Sequence, residues 1–211
     1  MGLNHKSNVV KFLIIPVLFL MSVAVCGKDF NSNAEKENTT TIKTPVQWEL
    51  VWEDNFDVDG LPDKKIWSFE EGYIRNKEAQ YYTKERLENA RVENGNLVIE
   101  ARMDNWNGHR ITAASINTYG KKNILYGRVE VKAKLPTGVG TWPAIWMLGN
   151  RMNDGTGWPA CGEIDIMENV GFDPDIIHAN IHTNAYNHIK GTNKGNKITV
   201  EKPYEDFHVY T

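Results

Sequence analysis

The chain has 211 residues, a hydrophobic fraction of 41% and a formal net charge of -3. These values are typical of one ordinary globular domain preceded by an N-terminal extension. Lysine and arginine are scattered along the sequence rather than concentrated in one segment, so the basic surface of a nucleic-acid-binding protein is missing. We therefore exclude nucleic acid as a partner.

Residues 1–26 resemble an export signal. Lys6 and Lys11 supply a basic region, and the apolar run 12–25 behind them is too short to span a bilayer comfortably. A polar segment follows at once, which favours a signal over the two alternatives, an uncleaved membrane anchor and a buried strand. The sequence therefore predicts that the protein is exported.

Cys26 ends the apolar run, and the residues around it resemble a bacterial lipobox, whose cysteine is lipidated after cleavage. Val25 stands where such sites usually have a small residue. Lys28-Asp29 resembles the charged signal that sends lipoproteins of some Gram-negative bacteria to the cell surface. We expect a lipid anchor on Cys26 and an outer-membrane or cell-surface lipoprotein. Without the anchor, the protein would be secreted or periplasmic.

Residues 27–45 are rich in Asn, Thr, Lys and Glu and poor in apolar side chains. Such a segment buries too little apolar surface to offset the entropy lost on ordering, so we expect a flexible tether. The folded part, residues 46–211, contains one cysteine, Cys161, which excludes an intramolecular disulfide there. Cys161 is expected to be a small buried residue rather than a reactive thiol.

The domain contains short apolar or alternating stretches separated by turn signals, for example at 58–60 and 93–96. Residues 96–102 and 126–133 alternate apolar with polar side chains, as half-buried antiparallel strands do. Long helical periodicity is missing from the sequence. The pattern predicts an all-β sandwich.

Three of the tryptophans, Trp142, Trp146 and Trp158, lie just before an acidic segment. Most tryptophans are core residues, but a few on one concave sheet face would form platforms for sugar rings. Trp142 and Trp146 are four residues apart, so they share a face in an unbroken strand. The sequence thus indicates a sugar-binding surface beside the acids.

Glu163, Asp165 and Glu168 lie within six positions whose other residues are apolar. In a regular strand Glu163 and Asp165 share a face, but Glu168, an odd number of positions from Glu163, would point into the core. A β-bulge near Met167 would return Glu168 to the face of the other two acids. The Cα atoms of the two glutamates would then be about 13 Å apart, four strand steps of about 3.3 Å.

Two glutamate side chains that lean together across this span approach the separation of about 5 to 5.5 Å that a retaining glycosidase needs. We interpret Glu163 as the nucleophile that attacks the anomeric carbon and Glu168 as the acid and base. Neighbouring negative charges favour the protonated form of Glu168, and Asp165 would orient Glu163 through a hydrogen bond. Spacing alone also allows an acidic strand edge or a calcium site.

His178 and His182 are four residues apart and could share a strand face, which raises the alternative of a metal pair. A third ligand at suitable spacing is missing, so a satisfied or substrate-contacting histidine is favoured. Glycine-rich phosphate loops, Cys/His zinc patterns and nucleophile elbows are also missing from the sequence. Other chemistries therefore have little support.

Residues 157–168, Gly-Trp-Pro-Ala-Cys-Gly-Glu-Ile-Asp-Ile-Met-Glu, resemble the active-site strand of the endo-1,3-β-glucanases (laminarinases) in family 16 of the glycoside hydrolases. The strand is in the bulged form that carries the extra methionine. Further similarity runs through the domain, in segments 48–52, 80–83, 88–92, 126–135 and 142–148. The resemblance implies a β-jelly roll of two curved sheets, a sugar-binding cleft on the concave side, and hydrolysis of internal β-1,3-glucosidic bonds.

The resemblance also implies which residues line the cleft beside the acids: Asn76, Arg91, Trp142, Trp146, Trp158 and His182. Relatives often hold a structural calcium on the convex face, near the segment that matches 53–57, where Asn55 stands in place of an acid. No cofactor is required for the reaction. The expected partner is a β-glucan polysaccharide, and the expected oligomeric state is a monomer.

Residues 206–210 resemble a family strand after which relatives continue with several more strands, whereas this chain ends at Thr211. The resemblance thus predicts a sandwich that lacks its last strands, with an unpaired edge and exposed core surface. Two other functions stay open. One is hydrolysis of mixed-linkage glucan or an algal galactan by the same fold, and the other is a non-catalytic jelly roll that only binds carbohydrate.

Overall fold

The computed structural model describes the backbone of residues 9–22 and the whole of residues 47–211. Cys26 and the predicted tether, 27–45, lie outside the described residues. The described part is almost entirely β, as the alternating pattern predicts, with two short 3-10 turns at Asn150–Asn153 and His188–Lys190. None of its helices is long and apolar enough to cross a membrane.

The strands are β1 (Val9–Ser22), β2 (Trp48–Asp54), β3 (Ser68–Phe69), β4 (Tyr81–Tyr82), β5 (Ala90–Glu93), β6 (Asn96–Arg102), β7 (Thr112–Ala113), β8 (Ile116–Asn117), β9 (Arg128–Lys134), β10 (Ala144–Leu148), β11 (Glu163–Asn169), β12 (Ile176–His182), β13 (Lys194–Thr199) and β14 (His208–Tyr210).

The first sheet has eight strands, in the order β14-β9-β1-β6-β7-β4, with β2 beside β1 and β5 beside β6. Its pairs are antiparallel except β4 with β7. In β6, Leu97 is buried and Ile99 packs against the same core, whereas Val98 and Glu100 alternate with them. The period of two in the sequence therefore produces one core face and one outer face.

Strand β1 lies between β6 and β9, and its C-terminal half also pairs with β2. The strands β6 and β9 are therefore joined through β1 rather than to each other. This run lies inside the predicted export signal, 1–26, and its place in the sheet agrees with the strand that the sequence left as an alternative. Export of the protein and lipidation of Cys26 stay predictions.

The second sheet has four antiparallel strands, in the order β10-β11-β12-β13. The strands β3 and β8 form a separate two-stranded sheet. The core between the two larger sheets contains the buried side chains of Phe56, Val92, Leu97, Val131, Ala133, Leu135, Met167, Ile177 and Tyr210. The domain is a β-sandwich of jelly-roll type, and one face of its second sheet is turned away from the core.

The first sheet covers only part of the inner face of the second. Ile164 and Ile181 pair with each other across β11 and β12, and are 47% and 46% exposed. Met167, on the same inner face, is fully buried. Apolar surface on the inner face of the second sheet is therefore exposed at Ile164 and Ile181.

Candidate active site

A bulge in β11 places the three acids on one face of the second sheet. Asp165 pairs with Asn180 and Glu168 pairs with His178, so three steps along β11 match two steps along β12. Met167, inside the bulge, is buried in the core. The bulge that parity predicts near Met167 is thus present, and Glu168 faces away from the core with the other two acids.

The spacing of the two glutamates follows from their partners on β12, which is a regular strand. Glu163 pairs with His182 and Glu168 pairs with His178, four residues apart on β12. Four strand steps put the Cα atoms of the two glutamates about 13 Å apart. The two histidines therefore share a strand face, as their spacing predicts, and they share it with the acids.

Asp165 is the buried member of the triplet, with 4% of its surface exposed. Burial raises its pKa to about 8, aided by the negative charges of Glu163 and Glu168 and by a hydrogen bond to Glu163. Asp165 therefore holds a proton at neutral pH and can donate it in a hydrogen bond to the Glu163 carboxylate. The imidazole of His182, also buried, has Nε2 3.3 Å from Oδ2 of Asp165.

Two of the tryptophans predicted as sugar platforms also contact the glutamates. Trp158 Nε1 donates a hydrogen bond to Oε2 of Glu163, and Trp142 Nε1 donates to Oε1 of Glu168 at 3.0 Å. The Trp142 side chain is 68% exposed, so its ring face stays available while its N–H edge contacts the acid. The structure therefore brings both tryptophans to the acid triplet.

Trp146, the third predicted platform, pairs with Asp165 across β10 and β11 and lies on the acidic face. The guanidinium carbon of Arg75 is 5.4 Å from the centre of the Trp146 ring, a cation–π contact. Asn76 follows Arg75 and has a φ of 53°, a left-handed conformation that is uncommon for residues other than glycine. The loop that carries Asn76 therefore borders the acidic face.

Arg91 is the predicted cleft residue that the structure places elsewhere. It alternates on β5 with Ala90 and Val92, which are buried, so its side chain lies on the outer face of the first sheet. There Arg91 donates hydrogen bonds to Glu100 at 3.1 Å and to Glu93 at 2.9 Å. Strand alternation is the physical reason, since the apolar neighbours of Arg91 decide which face it occupies.

Three residues of the site were not predicted from the sequence: Arg75, Asn180 and His188. Asn180 Nδ2 donates to Oε2 of Glu168 at 3.2 Å, and the His188 ring lies 4.9 Å from that of Trp158. A signal for Asn180 was present, because it lies midway between the two histidines of a regular strand. Arg75 and His188 lie outside the long strands, where no period of two marks the face of a residue.

Glu163, Asp165 and His182 each offer an atom that could bind a metal, and these atoms lie within 4.8 Å of one another. This is the one such group within residues 47–211, where side chains are described. A metal ion here would have to displace the proton that Asp165 holds, because metal ligands bind in their deprotonated form.

The segment 53–57, where the family resemblance implies a calcium, joins the end of β2 to the loop that follows. Asp54 Oδ1 accepts a hydrogen bond from the Phe56 amide at 3.0 Å, and Oδ2 accepts one from Trp67 Nε1 at 2.7 Å. Both oxygens of Asp54 therefore have protein partners. The structural calcium stays a prediction.

The acidic face combines groups that can exchange charge and protons. Glu163 is held by Trp158 and by protonated Asp165, while Glu168 accepts hydrogen bonds from Trp142 and Asn180. Two carboxyl groups on one open sheet face, with a buried proton between them, can supply one nucleophile and one proton carrier. A pair of carboxyl groups with these two roles is what most glycosidases use to cleave a glycosidic bond.

Comparison with known proteins identifies the family. The sequence model of "Glycosyl hydrolases family 16" matches residues 77–211. The beta-glucanase of Rhodothermus marinus is 53% identical over 166 residues, which cover 77% of this chain and 58% of that protein. The glucan endo-1,3-beta-glucosidase of Cryptopygus antarcticus is 39% identical over 175 residues, which cover 77% of this chain and 62% of that protein.

The X-ray structure of the laminarinase from Rhodothermus marinus is similar to this domain with a TM-score of 0.74 and 52% sequence identity. The similarity covers 78% of this chain and 66% of that chain, so this chain spans less than two thirds of these relatives. The matched residues include all three acids of β11. The chain belongs to family 16 of the glycosyl hydrolases.

Proposed function

We propose that this protein is an endo-acting, retaining hydrolase of β-1,3-glucosidic bonds in laminarin-type β-glucans. The observation that carries the proposal is the acid triplet of β11, with Glu163, Asp165 and Glu168 on one open sheet face. Membership of the family supports a glycosidase, and the names of the relatives, a beta-glucanase and a glucan endo-1,3-beta-glucosidase, support the bond type.

In the first step, Glu163 attacks the anomeric carbon, and the bond between this carbon and the bridging oxygen breaks. Glu168 gives its proton to the departing oxygen, so the leaving sugar is released with a free hydroxyl group. The product is a glycosyl ester of Glu163. Asp165 and Trp158, both hydrogen-bonded to Glu163, orient its carboxylate for this attack.

In the second step, water attacks the anomeric carbon of the ester, Glu168 takes the proton of the water, and Glu163 leaves as a carboxylate. Formation of the ester removes the negative charge of Glu163 and thereby weakens the hold of Glu168 on a proton. The same group can therefore act first as acid and then as base. Two inversions at one carbon leave the β configuration of the substrate unchanged.

The spacing of the two glutamates supports retention. They lie four strand steps apart, about 13 Å between Cα atoms, and the charges of both act on Asp165 between them. Retaining enzymes hold their carboxyl groups about 5 to 5.5 Å apart, whereas inverting enzymes separate them by about 6.5 to 9.5 Å to admit a water. Two glutamate side chains directed toward one another across four strand steps can reach the shorter separation.

The tryptophans around the acids support a sugar polymer as substrate. Trp142 and Trp158 contact the two glutamates directly, and Trp146 lies across from Asp165. Indole faces pack well on the C–H faces of glucose rings, so the three rings suit sugars bound on both sides of the cleaved bond. Mixed-linkage glucan and algal galactan are the substrates to compare with laminarin.

The direct test is the release of reducing ends from laminarin by the full chain and by the Glu163→Gln variant. We expect turnover by the wild-type protein and a rate at least about 1000-fold lower for the variant. The thermal unfolding midpoints of the two proteins provide the control for folding. Binding of laminarin without turnover by the wild-type protein would favour a non-catalytic carbohydrate-binding domain, and activity on agar alone would contradict the substrate.

We also propose that the protein is exported and anchored through a lipid on Cys26, on the basis of the lipobox-like sequence. Cleavage ahead of Cys26 would remove β1, which pairs with both β6 and β9. Mass spectrometry of the N-terminal peptide from membrane-extracted protein tests this proposal. A lipidated Cys26 supports it, and an intact segment 1–26 contradicts it.

A further inference from the structure

Glu168 is held from two sides by uncharged donors. Trp142 Nε1 donates to Oε1 at 3.0 Å, and Asn180 Nδ2 donates to Oε2 at 3.2 Å. One donor on each oxygen fixes the rotation of the carboxyl plane, because turning the plane would break both hydrogen bonds. The indole belongs to an exposed side chain, whereas the amide of Asn180 is partly buried between two strands.

Asn180 is itself oriented by β13. Its Oδ1 accepts a hydrogen bond from Asn193 Nδ2 at 3.0 Å, and its backbone pairs with Gly195. A Cβ atom at position 195 would lie 2.1 Å from Oδ1 of Asn180, so a side chain there would displace the amide. Because Oδ1 has its own donor, the amino group is the end of Asn180 that faces Glu168.

We propose that Asn180 is a positioning residue for Glu168, which fixes its carboxyl plane and stabilises its ionised form for the second step of the reaction. The inference rests on the proposed function, because it assigns Asn180 to the acid and base of that reaction. Family membership does not assign this role, and it follows from the chain of hydrogen bonds that runs from Asn193 through Asn180 to Glu168.

The charges around Glu168 act in opposite directions. On its own strand the neighbouring charge is that of Glu163, because Asp165 between the two glutamates holds its proton at neutral pH. Across β12 and β13, His178 pairs with Glu168 and Lys197 pairs with His178, so both lie on the same face. From the segment just before β10, the facing group is the uncharged indole of Trp142. An amide that donates to Glu168 offsets the charge of Glu163 without adding charge.

Two variants distinguish the hydrogen-bond donor of Asn180 from the shape of its side chain. Asn180→Ala removes the amide, and Asn180→Asp keeps the shape but replaces the donor with a carboxylate. We expect kcat to fall about 10-fold and KM to change less than about 2-fold in Asn180→Ala, since the residue acts through Glu168. We also expect the alkaline limb of kcat/KM to move up by roughly 0.5 to 1 pH unit, and further in Asn180→Asp.

Asn196→Ala is the matched control. Asn196 lies on β13, is exposed, and pairs with Ala179 rather than with Asn180. We expect the pH profile of this variant to coincide with that of the wild-type protein. The inference is overturned if the alkaline limbs of Asn180→Ala and Asn180→Asp also coincide with it, because loss of packing alone would lower kcat without moving the profile.

A titration of the Glu168 carboxyl carbon by NMR, in the full chain without substrate, needs no turnover. A titration of Glu168 that moves to higher pH in Asn180→Ala, which removes the donor without adding charge, supports the inference even if laminarin is not hydrolysed. An unchanged titration overturns it. Absence of hydrolysis by the wild-type protein contradicts the proposed function alone, so the two failures are distinguishable.

Discussion

The two sheets each carry a cluster of acidic groups, and the clusters are built in opposite ways. On the second sheet, burial beside Glu163 raises the pKa of Asp165 to about 8. On the first sheet, burial also acts to raise the pKa of Asp104, but hydrogen bonds from Arg86 and Thr112, together with the charge of Arg86, outweigh it and lower the pKa. One aspartate keeps its proton at neutral pH and the other does not.

Glu100 extends the contrast. It is 1% exposed, yet Oε2 accepts a hydrogen bond from Arg91 at 3.1 Å and Oε1 accepts one from Arg102. Arg86 pairs with Asp104 at 2.8 Å in the same cluster, so each carboxylate there has a guanidinium partner. We call these five residues the arginine cluster.

The difference between the two clusters shows how to distinguish a carboxylate with a structural role from one with a catalytic role. A buried carboxylate that is paired with arginine keeps its charge and stabilises its surroundings. Acids that face one another without a cation raise one another's affinity for protons and can therefore transfer them. Substitutions in the second sheet should change the rate of reaction, and those in the arginine cluster should change stability.

The largest effect is expected for Glu168→Gln. We expect kcat on laminarin to fall by about 10² to 10⁴-fold, because the amide of glutamine cannot give a proton to the departing oxygen. The free energy of unfolding at pH 7 should change little, because both groups that donate to Glu168 are uncharged and glutamine keeps the shape of glutamate. Steady-state kinetics and urea denaturation measure the two quantities, and a large loss of stability would contradict the contrast between the sheets.

Glu100→Gln should have the reverse effect. Loss of the charge leaves Arg91 and Arg102 without their shared partner, and we expect the free energy of unfolding to fall by about 2 to 3 kcal/mol. The kcat on laminarin should stay within about 2-fold of the wild-type value once the protein is folded. If this variant is as stable as the wild-type protein but inactive, the arginine cluster belongs to the site.

Asp165→Asn should change the pH dependence of stability. The pKa of Asp165 rises on folding from 3.8 to about 8, so the folded state binds an extra proton between these values. The wild-type protein therefore loses stability as pH rises through this window, by at most about 1.4 kcal/mol per pH unit. Asparagine resembles the protonated acid, so urea denaturation from pH 4 to 8 should show a flatter profile for the variant.

Asp104→Asn is the matched control with the opposite sign. The pKa of Asp104 is lowered on folding, so its contribution to stability is present above the ordinary pKa and is lost as pH falls through the lowered value. The variant should lose stability at neutral pH and show a smaller further loss in acid. Identical pH profiles for the two variants would contradict the opposite environments of the two aspartates.

The smallest expected effect is a difference in KM between two arginine substitutions. Arg75→Gln should raise KM for laminarin roughly 5-fold, because its guanidinium borders the Trp146 ring on the acidic face. Arg91→Gln should leave KM unchanged and lower the free energy of unfolding by about 1 kcal/mol, since it loses its contacts with Glu100 and Glu93. A raised KM for Arg91→Gln would place that residue in the cleft after all.

Features that depend on strand periodicity were predictable from the sequence. The alternating run 96–102 forms β6 with the same bounds, and the odd spacing of Glu163 and Glu168 predicts the bulge at Met167. Only Trp146 lies on a strand, β10, whereas Trp142 and Trp158 reach the acids from the segments that precede β10 and β11. Side-chain direction along a strand is a local property, so a single sequence contains it.

Other features depend on contacts between distant segments. The face of Arg91 is decided by the packing of Val92 in the core, and the cation–π contact of Arg75 joins a loop to a strand that is distant in sequence. An apolar run such as 9–22 has the same composition in an export signal and in a buried strand, so composition cannot separate them. These outcomes are set by tertiary structure rather than by local pattern.

The stereochemistry of hydrolysis tests the central claim most directly, because it depends on the roles of Glu163 and Glu168 together. Proton NMR of laminarin oligosaccharides during the first minutes of reaction with the full chain would identify the anomer that is formed first. The account predicts the β-anomer, followed by slow mutarotation to the equilibrium mixture. Initial formation of the α-anomer would contradict it.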